Sequence, residues 1–317
     1  MWSRWRPAHV AEVLGLSVRA AQAGLADDWK EQHMSLNIML VVLFAALLHA
    51  TWNFLVKRSA DKYQGMTSVV FGRVPYALVT LLFVPSISSS ALGYVIVGTI
   101  LHIGYQLFLL NSYKLGDLSQ VYPIARGGAP FIVAIVSVVF LGVRYENFEI
   151  AALVLIGCGI ISLAFAGNGV KSDKHHTSAM LAVTTGAFIA GYSLVDGLGA
   201  RVAGTALGYY SLLTIINAVI YGIIINRMQP GLVKHVVQHE LPISLLGGGF
   251  SFLAYTLVIW AFTKEPIALV ASLRETSIIF ALLFGVFILK ERLSLRKAIA
   301  ILCTVVGVGL FRLGPYL

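Results

Sequence analysis

The sequence predicts an all-α polytopic membrane protein whose ten transmembrane helices form two inverted five-helix repeats. Three observations carry this expectation. Hydrophobic residues make up 58% of the 317-residue chain and charged residues 12%, against roughly 45–50% and roughly 25% in soluble globular proteins. Mean hydropathy is +0.85, more apolar surface than a soluble core absorbs when so few charges cover the outside. Ten apolar stretches follow one another along the chain, each of about 18–24 residues and so able to cross a hydrocarbon layer about 30 Å thick. They do not alternate polar and apolar residues at period two, so helices are expected rather than a barrel.

The elements follow in order. Residues 1–33 carry Arg4, Arg6, Arg19 and Lys30 beside Glu12, Asp27, Asp28 and Glu31, without the apolar core of a secretory signal. Two readings stay open for them: an interfacial helix anchored by Trp and Arg, or a reading frame whose start is Met34. The chain then divides into a polar tail at 1–34, a first repeat at 35–166, a connecting loop at 167–176 and a second repeat at 177–313. The first repeat holds spans at 36–56, 67–84, 91–112, 118–141 and 147–165. Lys57 and Arg58 end the first, Pro85 and a serine run follow the second, and Asp117 stands where it caps the fourth. The second repeat holds spans at 177–199, 206–226, 241–261, 267–289 and 295–311. Short loops leave little room for a catalytic domain outside the bilayer.

Shifting the chain by 148 residues places Arg126 on Arg274, Val143-Arg144 on Glu291-Arg292 and Gly159 on Gly307. A shift of 140 places Ala50-Thr51-Trp52-Asn53 on Ala190-Gly191-Tyr192-Ser193. With five spans per half, the second repeat enters the membrane in the opposite sense. That is the inverted-repeat logic of carriers, with a central site at the repeat interface.

The formal net charge of +9 sits mostly in gaps between apolar stretches, which points to lipid headgroups rather than to nucleic acid. With the tail inside, eight basic residues fall inside and twelve outside, so the count favours both termini outside. Cys158 and Cys303 lie within spans and read as small packing residues, not as a zinc site or a disulfide framework.

Charge within a span is expensive and is first read as functional. Arg126 and Arg274 each lie about eight residues, roughly 12 Å, into their spans. Two guanidiniums facing one cavity can grip a carboxylate, phosphonate or phosphate through bidentate bonds. The alternative is internal pairing, Arg274 with Glu275 or Arg126 with Asp196. His49, Trp52 and Asn53 share one face of span one, and His102, Tyr105 and Gln106 repeat the pattern in span three. Tyr122 precedes Arg126 by one turn, and Pro123 and Pro130 flank it, where they can bend or break the helix. Tyr192 and Asp196 stand four apart in span six. Asp196 is either an anchor for a substrate amine, a coupling proton site, or a solvated helix cap. Arg73 lines the cavity or snorkels. Gly247-Gly248-Gly249 precedes Ser251, Tyr255 and Thr256 in span eight and marks a close backbone approach or a hinge. His175-His176 falls in the polar loop. No nucleophile-base pair or metal-ligand spacing emerges, so neither an enzyme nor a cofactor is expected.

These features resemble the ten-span drug/metabolite transporter superfamily, in its form with two EamA-type domains. The resemblance covers about residues 35–313. It rests on Ala50-Thr51-Trp52-Asn53, on Arg73, on the proline-bearing fourth span, and on Leu289-Lys290-Glu291-Arg292-Leu293, similar to the family's LGERL turn. The corresponding Leu141-Gly142-Val143-Arg144-Tyr145 lacks the acid. The histidine-bearing stretch from His49 to Asn53 is similar to bacterial members found beside phosphonate-utilisation genes. The resemblance implies a multi-pass secondary transporter of the inner (plasma) membrane, often an exporter, with a cavity walled by spans one, three, four, six, eight and nine. It also implies cytoplasmic termini, against the Lys/Arg count.

The expected function is alternating-access transport, by export, of a small polar metabolite that is anionic or zwitterionic, such as an amino acid or a phosphonate-like compound. Arg126, Arg274, His49, Trp52, Asn53, His102, Gln106, Tyr122, Tyr192 and Tyr255 are the candidate substrate residues. Asp196 and Glu275 are candidate coupling groups or charge partners, and Arg73 a further cavity residue. Expected partners are the metabolite, membrane lipids and protons as coupling ion, for a monomer or a homodimer. The alternatives are a multidrug or cation exporter, a flippase for lipid-linked substrates, and a non-transporting membrane scaffold.

Overall fold

Runs of Leu, Ile, Val and Ala without interior breakers favour helix, and in a bilayer the helix satisfies every backbone group internally. The computed structural model describes residues 34–57, 61–115, 118–162, 173–288 and 295–313, and the regular structure among them is helical throughout. The elements are α1 (Leu36–Lys57), α2 (Lys62–Gly72), α3 (Val74–Leu81), α4 (Leu92–Leu115), α5 (Leu118–Leu141), α6 (Asn147–Ser162) and α7 (Asp173–Ala203). They continue with α8 (Ala206–Met228), α9 (Leu232–His239), α10 (Leu241–Phe262), α11 (Ile267–Glu275), α12 (Ser277–Phe287) and α13 (Leu295–Leu313). The tail at 1–33, Asp117 and the turn at 289–293 lie outside the described residues, as does most of the connecting loop.

The protein is an all-α, multi-pass membrane protein, but fewer helices than expected qualify as spans by length and composition. Among the described residues six do so, on α1, α4, α7, α8, α10 and the α11–α12 pair. Three shorter apolar helices, Ala125–Leu141, Asn147–Ser162 and Ala298–Phe311, accompany them. The second expected span is two helices that meet at Arg73. Pro75, in the first turn of α3, has no N–H for the carbonyl of Phe71, so the ladder lapses there. The chain keeps its direction because Arg73 itself stays in right-handed helical geometry. The ninth span divides at Thr276, whose hydroxyl donates to the carbonyl of Leu273 at 2.6 Å and competes with the backbone ladder.

Other expectations need correction. Helix α5 is continuous through Pro123 and Pro130. Helix α7 begins at Asp173, so His175 and His176 lie in its first turns rather than in a loop. No Gly or Pro interrupts the polar residues between Asp173 and Gly186, and they extend the helix beyond its apolar stretch. Cys158 is exposed on α6 instead of packed. The short helix α9 was not expected at all. Gly231, at φ 85°, makes the left-handed turn that launches it.

Packing joins the two halves of the chain. Helix α10 lies across α1 and α2, and α4 runs along α7. Helix α5 also packs on α7, while α11 and α12 pack on α1; α6 pairs with α13, α8 with α3, and α11 with α5. The closest crossing is between α2 and α10. A Cβ added to Gly72 would fall 1.8 Å from the carbonyl oxygen of Ser244, and one added to Gly248 would fall 2.1 Å from the carbonyl carbon of Gly72. Only glycine fits on either side, and the Gly247-Gly248-Gly249 run is a close backbone approach that fixes Arg73 beside α10.

At one end of the bundle, polar contacts tie the helix termini together. Arg201 donates to the carbonyls of Phe262 and Glu265 at 2.8 and 3.0 Å. Glu265 in turn accepts the backbone N–H of Ser35 at 3.1 Å. Burial pushes the Glu265 carboxyl above its ordinary range, opposed by the Ser35 N–H and reinforced by the Glu149 carboxylate.

Two expectations follow from this packing. Gly72→Ala and Gly248→Ala force α2 and α10 apart and should each cost about 1–3 kcal/mol, read as a lower melting temperature in detergent. Gly309→Ala, which meets nothing within 4 Å, should leave melting unchanged or raise it, and equal losses in all three would refute the crossing. For Glu265, a raised folded-state value means that the fold favours the protonated acid. Its stabilising contribution is present at low pH and is lost as pH rises through the raised value. Glu265→Gln should therefore gain melting temperature relative to the parent as pH rises above the ordinary glutamate value, about 4; a gain confined to the acid end would contradict it.

Candidate functional site

Two buried polar clusters occupy the middle of the bundle. The first is built by α1, α5 and α11. Arg126 on α5 and Arg274 on α11 are each 2% exposed, and Glu275, the last residue of α11, is 0% exposed. Arg126 Nη1 donates to both oxygens of Glu275 at 3.1 and 3.2 Å. Arg274 donates to Glu275 Oε1 from Nε at 3.1 Å and from Nη2 at 2.8 Å. Among the described residues one carboxylate thus serves two guanidiniums. The internal pairing expected for Arg274 is present. The pairing of Arg126 with Asp196 is not, because Glu275 takes Arg126 instead.

Small residues admit this arrangement. Ala125 and Ala129 flank Arg126 and are buried. Across from them Gly186 of α7 has no room for a Cβ, which would stand 2.8 Å from the carbonyl oxygen of Ala125. The break at Thr276 leaves Arg274 and Glu275 in a helix terminus, where a cation in the last turn is favourable.

His49 of α1 closes this cluster. Its Nε2 contacts Arg126 Nη2, while its Nδ1 accepts from Trp52 Nε1 at 3.2 Å. Asn53 Nδ2 donates to the carbonyl of His49 at 2.7 Å and steadies the turn. Indole and guanidinium are donors only, and a neutral imidazole has one N–H and one acceptor nitrogen. Both neighbours therefore call for an acceptor nitrogen, and the neutral ring offers one, to Arg126 at Nε2 or to Trp52 at Nδ1.

The second cluster surrounds Asp196, which is 0% exposed in the interior of α7. The expectation of a solvated helix cap is therefore overturned: the helix continues to Ala203, and three partners enclose the carboxylate. Asp196 Oδ2 lies 2.8 Å from His102 Nε2 of α4 and accepts from Tyr255 OH of α10 at 2.8 Å. Oδ1 accepts from Tyr209 OH of α8 at 3.2 Å. Gly98 makes the space, since a Cβ there would approach Oδ1 to 2.7 Å.

Aromatic rings bridge the clusters. The rings of His102 and Tyr192 stack with centroids 4.1 Å apart. The Arg274 guanidinium carbon lies 5.8 Å from the ring centroids of both Tyr192 and Tyr255, within the usual cation–π range. Tyr210 continues the array against Tyr255 and Phe252. Its hydroxyl accepts from Arg73 Nη1 at 3.1 Å, so Arg73 points to protein rather than only to the headgroups. Gln106 pairs with Asn217 of α8 at 3.1 Å. Tyr122 lies on α5, but its side chain falls outside the described residues. Sequence reasoning missed Tyr209, Tyr210, Asn217 and Phe252. Asn217 alone gave a signal, as an amide in an otherwise apolar span.

Among the described residues no group of three or more His, Cys, Asp and Glu could hold a metal ion. The arrangement can bind and exchange charge, but it does not set a nucleophile beside a base.

The comparisons agree with this class of protein. Residues 176–313 match the model of the EamA-like transporter family, so an EamA-like domain occupies the second half of a multi-pass helical membrane protein. No curated protein matches the chain. A solved structure called only "Crystal structure of protein" is similar with a TM-score of 0.68 at 16% identity, over 87% of this chain and 96% of that one. At that identity the likeness is one of fold.

Removing one member of a buried ion cluster leaves the others uncompensated, at about 3–5 kcal/mol. Glu275→Gln should therefore lower the melting temperature sharply, and Glu275→Asp should recover part of the loss. If Gln melted like the parent, the carboxylate would not hold the cluster together.

Proposed function

We propose that the protein is an alternating-access secondary transporter of the inner (plasma) membrane that exports a small polar metabolite bearing an acid group, such as an amino acid or a phosphonate-like compound. The observation that carries this reading is the buried pair Arg126 and Arg274 sharing the single carboxylate of Glu275. An oxyanion taking the place of His49 beside Arg126 would accept from the guanidinium. Arg126 grips the acid, His49 with Trp52 and Asn53 shapes the entrance to it, and Arg274 is held in reserve by Glu275. Asp196 takes up a substrate amine or a coupling proton, with His102 and Tyr255 following its charge.

Ten crossings in two inverted halves are the architecture proposed with it. The packing pairs support that reading, because exchanging the halves maps one onto another: α1 on α10 becomes α7 on α4, and α5 on α7 becomes α11 and α12 on α1. The pairs α6 with α13 and α8 with α3 map onto themselves when α2 and α3 are taken as one span. Contacts such as Ser88 N–H to the carbonyl of Ala203 at 3.1 Å join chain ends that a ten-span path puts on one side.

The test is a thermal-shift screen of detergent-solubilised protein against amino acids, phosphonates, sugar phosphates and quaternary amines, since a ligand of the folded state raises stability by mass action. Small acids or zwitterions should stabilise the parent, and Arg126→Ala should abolish the shift. Arg126→Lys should restore little of it, because an ammonium lacks the planar fork. Stabilisation by quaternary amines alone, or an unchanged acid response in Arg126→Ala, would overturn the anion site.

A further inference from the structure

Outside the buried clusters, one flank of α8 forms a groove with α2 and α9, of about 670 Å³. Its floor and walls are apolar: Phe71 of α2, Val219 and Ile223 of α8, and Val237 of α9. Val219 and Ile223 are 58% and 53% exposed on a helix long and apolar enough to span the membrane, so this flank faces acyl chains. Gly222 keeps the groove deep, since a Cβ there would meet the Phe71 ring at 2.8 Å. At the end of the groove the character changes. Arg227, in the last turn of α8, and Lys234 of α9 both line it and are exposed. The described residues lining it include no carboxylate.

The placement of the two cations follows from α9. The left-handed Gly231 turns the chain back after α8, and Leu232 and Val233 pack α9 against a small core that includes Tyr63, Val70, Tyr221 and Ile225. Lys234 is thereby brought beside the polar end of an apolar cleft already marked by Arg227. An apolar cleft closed at the membrane boundary by two cations has the chemistry of a chain-bearing anion. The same end of a ten-span path holds most of the basic residues, which is the leaflet where anionic headgroups are attracted.

We propose that this groove binds one anionic phospholipid, with an acyl chain along Phe71, Val219, Ile223 and Val237 and its phosphate between Arg227 and Lys234. The site shares no residue with the buried clusters, and its test uses no transported substrate, so it stands or falls separately from the transport reading. The experiment is native mass spectrometry of the full chain from mixed micelles holding equal phosphatidylglycerol and phosphatidylcholine. One phosphatidylglycerol per chain should be retained in preference to phosphatidylcholine. In the double variant Arg227→Ala/Lys234→Ala its affinity should fall on the order of thirtyfold, with phosphatidylcholine unaffected. Both side chains are exposed, and an unchanged melting temperature in lipid-free detergent checks that the variant folds. Equal retention of the two lipids, retention of many phosphatidylglycerols without saturation, or an affinity indifferent to the double substitution would each overturn the site.

Discussion

The carboxylate of Glu275 is the constraint on which the interior depends. Burying a guanidinium is tolerable only when an anion and good hydrogen bonds replace the lost water, and here two guanidiniums from different helices meet one carboxylate. That requirement draws α5 and α11 together, and the contact of His49 with Arg126 ties α1 to α5. The break that the Thr276 hydroxyl makes in the ladder suits the same arrangement. A helix running on without a break at Thr276 would give Arg274 and Glu275 ordinary interior positions instead of a shared terminus.

Asp196 is the second node, with a different logic. Its three partners come from three other helices, so the carboxylate ties α7 to α4, α8 and α10. The two nodes are physically joined. Tyr255 donates to Asp196 and also faces Arg274, and Tyr192 stacks on His102 while facing the same guanidinium. A shift of Arg274 therefore alters the surroundings of two side chains that touch the Asp196 cluster. This is contact, and the coupling between the nodes is measured only by energetic tests on both.

Much of this was legible from residue types alone, because a bilayer makes any buried charge conspicuous. Arg126, Arg274, Glu275 and Asp196 stood out in apolar stretches, and the face formed by His49, Trp52 and Asn53 followed from helical spacing. Partner choice was not legible. Arg126 to Glu275 and Asp196 to His102 are contacts between segments far apart in sequence, and nothing local ranks them above Arg126 to Asp196. The local breaks were harder still. Pro75 and Thr276 end helices here, while Pro123 and Pro130 leave α5 unbroken, so breaking strength depends on what packs around the freed groups. Helix α9 escaped because eight residues are too few for an apolar run, although Val233, Val236 and Val237 have helical spacing.

The signs of the two nodes bear on what kind of solute suits the interior. One node gathers the guanidiniums of Arg126 and Arg274 on Glu275 and the other holds the carboxylate of Asp196, with aromatic rings between them. A cation site would leave its carboxylate open and its ring faces vacant. Here Asp196 is enclosed by its three partners, and the faces of Tyr192 and Tyr255 meet Arg274. At Arg126 the partner carboxylate is shared with Arg274, so the proposed anion site has two guanidiniums beside one acid. A zwitterion would set its acid at Arg126 and, only by displacing one of the three partners, its amine at Asp196, and would cross the membrane interior with no net charge of its own. Of the solutes proposed, an amino acid or aminophosphonate type of structure therefore asks least of the surrounding bilayer.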